Sequence, residues 1–176
     1  MYERRTRPNR LRGFTLIELM IVVAILGILA SIAIPMLASQ QLRSKATEAK
    51  TNLGAIRVVE EANFGENGEY LAANAEPAVI PGATSAAFDV AGSDFAALGW
   101  SPEGRVYFSY AVAVAPDASG YTADAAGDLD ENGVVQIWGY KKAAGDGSFV
   151  DGGLGCVHTM LAPEVLGSCI ASRTVY

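Results

Sequence analysis

The chain has 176 residues and a net charge of −6, room for one domain of ordinary size plus an appendage. The charge is uneven: residues 1–13 carry five arginines against Glu3, a balance of +4, and the remaining 163 residues carry −10. So acidic a body would repel backbone phosphates and supports no direct nucleic-acid partner, and no nucleophile, base and orienting group converge in the pattern of an enzyme.

In chain order, the basic start leads into an apolar run. From Leu19 to Ile34 no side chain is charged, and only Gly27 and Ser31 interrupt the run. A short basic segment before such a stretch orients the N-terminus toward the cytoplasm. Three readings are open: a secretory signal cut near Ala30-Ser31-Ile32-Ala33, a plain uncleaved anchor, or a leader cut at Gly13 that leaves Phe14 as a new N-terminus. The run does not dissolve into polar sequence. Leu42, Ala46, Ala49, Leu53, Ile56 and Val58/Val59 continue at helical spacing, with Arg43, Lys45, Glu48, Lys50 and Arg57 between them as a solvated or partner-facing stripe. A helix from Thr15 to Phe64 would be about 75 Å long at 1.5 Å per residue. Gly65, Asn67 and Gly68 end it.

Glu18 is the unusual residue. A carboxylate at the centre of a lipid-embedded helix costs about 2.5–3.5 kcal/mol, and less near its edge, so a mere anchor would omit it. One reading is local: Thr15-x-x-Glu18 has the spacing of a capping box in the first helical turn. The other is functional, an ionisable group that needs a partner, and no basic side chain lies between Phe14 and Gln41. Gly27 and Pro35 would cost about 1 and 3 kcal/mol in a soluble helix and are better tolerated in lipid. They make either a curved helix or a stretch that loses helicity when subunits pack.

Residues 71–104, rich in Ala, Gly, Pro and Ser, read as a loop of weak structure with a short helix from Ser93 to Leu98 capped by Ser93. Val106, Phe108, Tyr110, Val112 and Val114 then alternate with Tyr107, Ser109, Ala111 and Ala113 as a half-buried strand does. Tyr121–Ala125 and Val134–Tyr140 make two more, giving an antiparallel meander whose apolar face would cover the helix. Between the last two lies Gly127-Asp128-Leu129-Asp130-Glu131-Asn132-Gly133. Asp128, Asp130, Asn132 and Gly133 match positions one, three, five and six of a calcium loop, but position twelve is Gly139 and the bidentate glutamate is missing. Asn-Gly between strands is equally a hairpin signal. The readings are an acidic turn or a Ca²⁺ site, the one cofactor to weigh.

Cys156 and Cys169 lie in a Gly-rich tail. In an oxidising compartment a disulfide would persist, and closing that loop is worth on the order of 3 kcal/mol; two unrelated thiols are the alternative. His158 has no ligand cluster, Ser168 has no nucleophile elbow, and Gly152-Gly153-Leu154-Gly155 precedes no helix that would make it a phosphate cradle. Trp138 and Tyr140 suit a sheet face.

The run Gly13-Phe14-Thr15-Leu16-Ile17-Glu18-Leu19-Met20-Ile21-Val22-Val23-Ala24-Ile25-Leu26-Gly27-Ile28-Leu29-Ala30, with Pro35, strongly resembles the N-terminus of short-leader type IV pilins. The resemblance covers about residues 12–57; a softer match, Glu60 to Tyr70, looks like the end of the long pilin helix. It implies an α+β fold: a long N-terminal helix, spanning the membrane in its first half, packed by a three- to four-stranded antiparallel sheet with a C-terminal disulfide loop. The implied divisions are a leader (1–13), a membrane and assembly helix (14–38), its amphipathic half (39–64) and a globular head (65–176). By the same resemblance, a membrane prepilin peptidase cuts after Gly13 and methylates Phe14, and Glu18 pairs with that amine on a neighbouring subunit. The implied partners are further copies through residues 14–64, the peptidase, a pilus assembly platform and the inner membrane. The product would be a surface filament for motility, adhesion or DNA uptake. A type II secretion pseudopilin shares this N-terminus, and a membrane-anchored Ca²⁺- or ligand-binding module is the rival of another class.

Overall fold

Backbone hydrogen bonding along the apolar run and its amphipathic continuation closes into one 52-residue helix, α1 (Leu16–Asn67). A computed structural model describes residues 13–169, so the expected leader lies outside the described residues except for Gly13. Gly68 stops α1: its φ of 79° is open to glycine, and its N–H donates to the Phe64 carbonyl at 2.9 Å. Contacts divide the chain into two units at Ser39/Gln40.

In the first unit every residue from Gly13 to Leu37 is exposed, including Met20, Ile28, Ile34 and Met36. The helix continues through Gly27 and Pro35. Proline lacks the N–H that the Ser31 carbonyl would otherwise receive, and the Ser31 hydroxyl bonds the Ile28 carbonyl at 2.7 Å.

The second unit is built on the rest of α1. Ala46, Ala49, Leu53, Ile56 and Glu60, at alternating steps of three and four, form its buried stripe. They pack on an antiparallel sheet whose strands are β1 (Ala73–Glu76), β2 (Ser109–Val114), β3 (Tyr121–Gly127), β4 (Gln136–Lys142) and β5 (Gly167–Ser168), in that spatial order. Register follows Tyr110 opposite Ala125, Ala125 opposite Trp138, and Ala123 opposite Tyr140. The two-residue period then puts Tyr110, Val112, Tyr121, Ala123, Ala125, Trp138 and Tyr140 on the face that shares a core with Leu53 and Ile56. Ala111, Thr122, Asp124, Ala126, Gly139 and Lys141 stand on the other.

That second face is covered as well, by the segment from Ser148 to Cys169. All seven residues of β3 are therefore buried. The sheet has five strands rather than three or four, because the short edges β1 and β5 are too small to register as a pattern in sequence.

Three other expectations change in detail. The strand expected from Val106 begins at Ser109: Val106 bridges Ala86, and the Tyr107 N–H is taken by the Glu48 carboxylate at 2.9 Å. The strand expected from Val134 begins at Gln136, because the Val134 N–H bonds Asn132 Oδ1 at 2.7 Å. The short helix α2 (Phe95–Leu98) has Asp94, not Ser93, at its N-cap, and the Ser93 hydroxyl bonds the Val90 carbonyl instead.

Residues 71–104 are more ordered than expected of a weak loop. They supply β1 and α2, and bury Phe95, Leu98 and Trp100. Phe88, Phe95, Trp100 and Tyr110 meet at ring separations of 5.3 to 6.5 Å. Aromatic anchors at irregular spacing hold such a segment without any periodic trace.

Candidate functional site

Two regions hold the residues singled out in sequence: the start of α1 and the turn and tail of the second unit.

At the start of α1, Gly13 and Phe14 are exposed, with Phe14 at 79%. Glu18 closes a capping box: its Oε2 accepts the Thr15 N–H at 2.9 Å and the Thr15 hydroxyl at 2.7 Å, while the Glu18 N–H donates back to Thr15 Oγ1 at 3.3 Å. The local reading of Glu18 is therefore realised in the single chain. It leaves the assembly reading open, because the carboxylate remains exposed and near the N-terminus. Leu16–Asn67 contains the apolar stretch that is long enough, by length and composition, to cross a membrane.

In the second unit three of the basic residues expected on a solvated or partner-facing stripe of α1, Lys45, Lys50 and Arg57, lie against aromatic rings of the same unit. The Lys45 ammonium sits 4.4 Å from the Tyr107 ring centroid, Lys50 4.2 Å from Trp138, and the Arg57 guanidinium 4.9 Å from Tyr140. Lys45 also donates to the Ala83 carbonyl at 2.9 Å. Glu48 accepts from the Tyr110 hydroxyl at 3.0 Å as well as from Tyr107, and Asn52 donates to that same hydroxyl at 2.8 Å. Burial raises the Glu48 pKa against the pull of these donors.

Two further carboxylates escaped the sequence reading. Glu60, on the buried stripe, accepts the Leu71 N–H at 3.1 Å, and burial pushes its pKa up to about 7. Asp124, central in β3, is fully buried on the second face and pushed up by burial to about 6. Its Oδ2 accepts the N–H groups of Leu154 at 2.7 Å and Cys156 at 3.2 Å. One signal was readable. Asp124 interrupts a run of small residues in β3, and a glycine-rich stretch lies downstream to approach it.

Cys156 and Cys169 form a disulfide, both cysteines buried. His158 is held by Asp151, which accepts its N–H at 2.8 Å and meets Nδ1 at 2.7 Å. Ser168 lies in β5, Trp138 and Tyr140 on the core face of β4, as a sheet reading requires.

The acidic turn is closed on itself. Asp128 Oδ2 accepts the Gly133 N–H at 3.0 Å, Asn132 Nδ2 donates to Asp130 Oδ2 at 2.6 Å, and Asn132 Oδ1 is used by Val134. Glu131 turns away to accept the Ala83 N–H at 3.1 Å. Asp128 Oδ1 is buried without a partner, yet an oxygen cage would require Asp130 and Asn132 to abandon the bonds that shape the turn. As arranged, these side chains supply the hydrogen bonds of a turn between β3 and β4. Among the described residues no group of three or more His, Cys, Asp or Glu is placed to hold a metal ion.

Comparison with known proteins locates the similarity at the start of the chain. Residues 8–34 match the family model of the prokaryotic N-terminal methylation motif. The chain is similar to the type IV major pilin protein PilA of Myxococcus xanthus, 61% identical over 61 residues, which is 35% of this chain and 28% of that protein. A fimbrial protein of Pseudomonas aeruginosa is 46% identical over 66 residues, 38% of this chain and 42% of its own length. The type IV major fimbrial protein FimA of Dichelobacter nodosus is 52% identical over 50 residues, 28% of this chain and 32% of its own. The matched stretches thus span less than half of each of these relatives. No solved structure matches the chain.

Proposed function

We propose that this chain, whose N-terminal segment is that of the type IV pilins, is a structural subunit of a surface filament. The observation that supports the reading is the methylation-motif match over residues 8–34, a span that includes Gly13, Phe14 and Glu18.

The physical argument runs from that acid. Apolar helices packed in a filament make a low-dielectric core in which an unpaired carboxylate is very costly and a paired one tolerable. Cleavage after Gly13 would free an amine at Phe14, the one cation available between Phe14 and Gln41. Methylation keeps its charge. The capping box satisfies Glu18 in the monomer, and exchange of that contact for a neighbour's amine would set the axial step between subunits. Before assembly, residues 14–38 would hold the precursor in the inner membrane. A prepilin peptidase and an assembly platform are the partners this route requires.

The test is mass spectrometry of sheared surface filaments together with Glu18→Ala. The chain is expected in the filaments with methylated Phe14 as its first residue. The variant is expected to lose filaments while processed protein stays in the membrane. A mature chain that begins elsewhere, or filaments undiminished by Glu18→Ala, defeats the proposal.

A further inference from the structure

We infer that Asp124 is the positioning residue for the Cys156–Cys169 disulfide, its carboxylate acting as the internal anion on which residues 152–156 close. The inference stands independently of the filament reading.

The disulfide has two arms, held in different ways. The Cys169 arm is strand-paired: Gly167 lies opposite Gly139 in β4, and the Cys169 N–H donates to the Ile137 carbonyl at 2.9 Å. The Cys156 arm belongs to no strand. It follows the run Gly152-Gly153-Leu154-Gly155; the Leu154 and Cys156 N–H groups meet Asp124 Oδ2, while the Gly152 N–H closes the loop on the Cys156 carbonyl at 2.8 Å and the Gly155 N–H bonds the Gly152 carbonyl at 3.4 Å. Backbone N–H groups that converge in a turn make an anion-binding concavity, and here two of them, from Leu154 and Cys156, converge on an anion that comes from β3 of the same chain. The glycine-rich stretch that made an unconvincing phosphate cradle in sequence is a cradle for a carboxylate.

The glycines are needed for the approach. A Cβ on Gly152 would collide with the Asp124 carboxylate, and one on Gly153 would lie 3.1 Å from the Ala111 methyl. Gly155, at a φ of 97°, turns the chain into Cys156. Asp124 pairs directly with Gly139 across β3 and β4. A Cβ on Gly139 would stand 2.6 Å from Cys156 Sγ and 2.7 Å from Cys169 Sγ, so the disulfide lies over the position beside Asp124. The Cys156 N–H bonded to Asp124 thus sets one sulfur over Gly139, where the strand-paired arm has already placed the other.

On this face Thr122 and Lys141 spend their polar groups on the Val150 and His158 carbonyls, at 2.6 and 2.7 Å, rather than on Asp124. Its neighbours Ala111, Ala126 and Gly139 are small and apolar, and Asp124 Oδ1 is buried without a hydrogen-bond partner. A buried carboxylate with one oxygen unpartnered is costly, and its gain here is the pair of strap N–H groups on Oδ2.

Bond formation itself is thiol–disulfide exchange. One cysteine thiolate attacks a small-molecule disulfide and expels one small thiolate; the second cysteine thiolate then attacks the protein sulfur of the mixed disulfide and expels the other. Two protons and two electrons leave the cysteine pair, and two small thiols are released. Asp124 takes no part in the electron transfer. It raises the effective concentration of one cysteine at the other.

The test equilibrates the reduced full-length chain, in detergent micelles, against oxidised and reduced glutathione, with alkylation and mass spectrometry to count thiols. Asp124→Ala is expected to lower the equilibrium fraction of disulfide as a tenfold or greater fall in effective concentration, the scale of one to two hydrogen bonds to a charged group. Asp124→Asn, whose amide oxygen can still accept one N–H, falls between. Thr122→Val removes another bond from the same face to the same segment, to the Val150 carbonyl at 2.6 Å, and is expected to stay within about threefold of wild type. A fall for Asp124→Ala no larger than that of Thr122→Val overturns the inference. Hydrogen exchange on the reduced wild-type protein reads the same point without a substitution. Protected Leu154 and Cys156 amides support capture of the arm before oxidation, and amides exchanging as in unstructured chain overturn it.

Discussion

Among the described residues Glu60 and Asp124 are the two carboxylates that burial pushes up to values near neutral pH. Glu60 lies on the α1 stripe with Oε1 buried and unpartnered, beside the negative charge of Glu61, and holds its proton to about pH 7. The unfolded chain releases that proton near 4.5. Between those values the folded state binds more protons, so this contribution to stability is full below the unfolded pKa and is lost as pH rises toward 7. Asp124 acts in the same direction up to about pH 6. Denaturant midpoints measured from pH 4.5 to 8 are expected to fall across this range. Glu60→Gln should flatten the part of the slope between 6 and 7.5, leaving the Asp124 part in place; an unchanged slope above pH 6 would show that Glu60 is ionised at no cost. The same residue-scale logic separates these acids from Glu18, which is exposed and satisfied by Thr15 within its own helical turn.

The helix α1 carries two different surfaces on one continuous hydrogen-bonded element. Through residue 38 it has no polar face and nothing buries it in the single chain. Beyond Gln40 its small and branched residues, Ala46, Ala49, Leu53 and Ile56, let the sheet approach closely, and Lys45, Lys50 and Arg57 lay their charges against the aromatic rings at the margins. Leu53 is wholly buried and Val58, five residues on, is 67% exposed. Leu53→Ala is expected to destabilise the second unit by about 2–5 kcal/mol through lost transfer energy and a residual cavity. Val58→Ala is expected to stay within about 0.5 kcal/mol in stability. Urea titration of both variants, followed by tryptophan fluorescence from the buried Trp100 and Trp138, distinguishes them; equal effects would mean that α1 is rotated from the described packing.

At the scale of the whole molecule, the second unit places its sheet between α1 on one side and the segment ending at Cys169 on the other. The disulfide, closing a 13-residue separation, contributes on the order of 3 kcal/mol in the chain-entropy model and holds the outer layer that the sheet alone could not attract with alanine and glycine. The acidic turn between β3 and β4 belongs to this architecture, since the Asp128 N–H bonds the Pro81 carbonyl at 3.0 Å and Glu131 bonds Ala83. Millimolar Ca²⁺ followed by chelator is therefore expected to leave the melting temperature unchanged and to give no binding heat. A rise of several degrees with Ca²⁺, reversed by chelator, would mean that the turn opens into a cation site.

How much of this was legible beforehand differs element by element. The apolar run, the helical continuation through Ile56, the three central strands and the resemblance at Gly13 to Ala30 were readable because each is a local or strictly periodic property. A two- or 3.6-residue period survives in one dimension, and a motif of adjacent residues needs no fold to be seen. The outer layer, the edge strands β1 and β5, the aromatic anchoring of residues 88–100 and the meeting of Asp124 with Leu154 and Cys156 were not readable. Those contacts join residues about 30 positions apart in chain order, and burial of a carboxylate depends on what covers it from both sides of the sheet. Sequence alone determined where the chain is apolar, where it turns and which residues could cross-link; tertiary packing alone decided which acids lose their water, because desolvation is a property of surroundings and not of spacing.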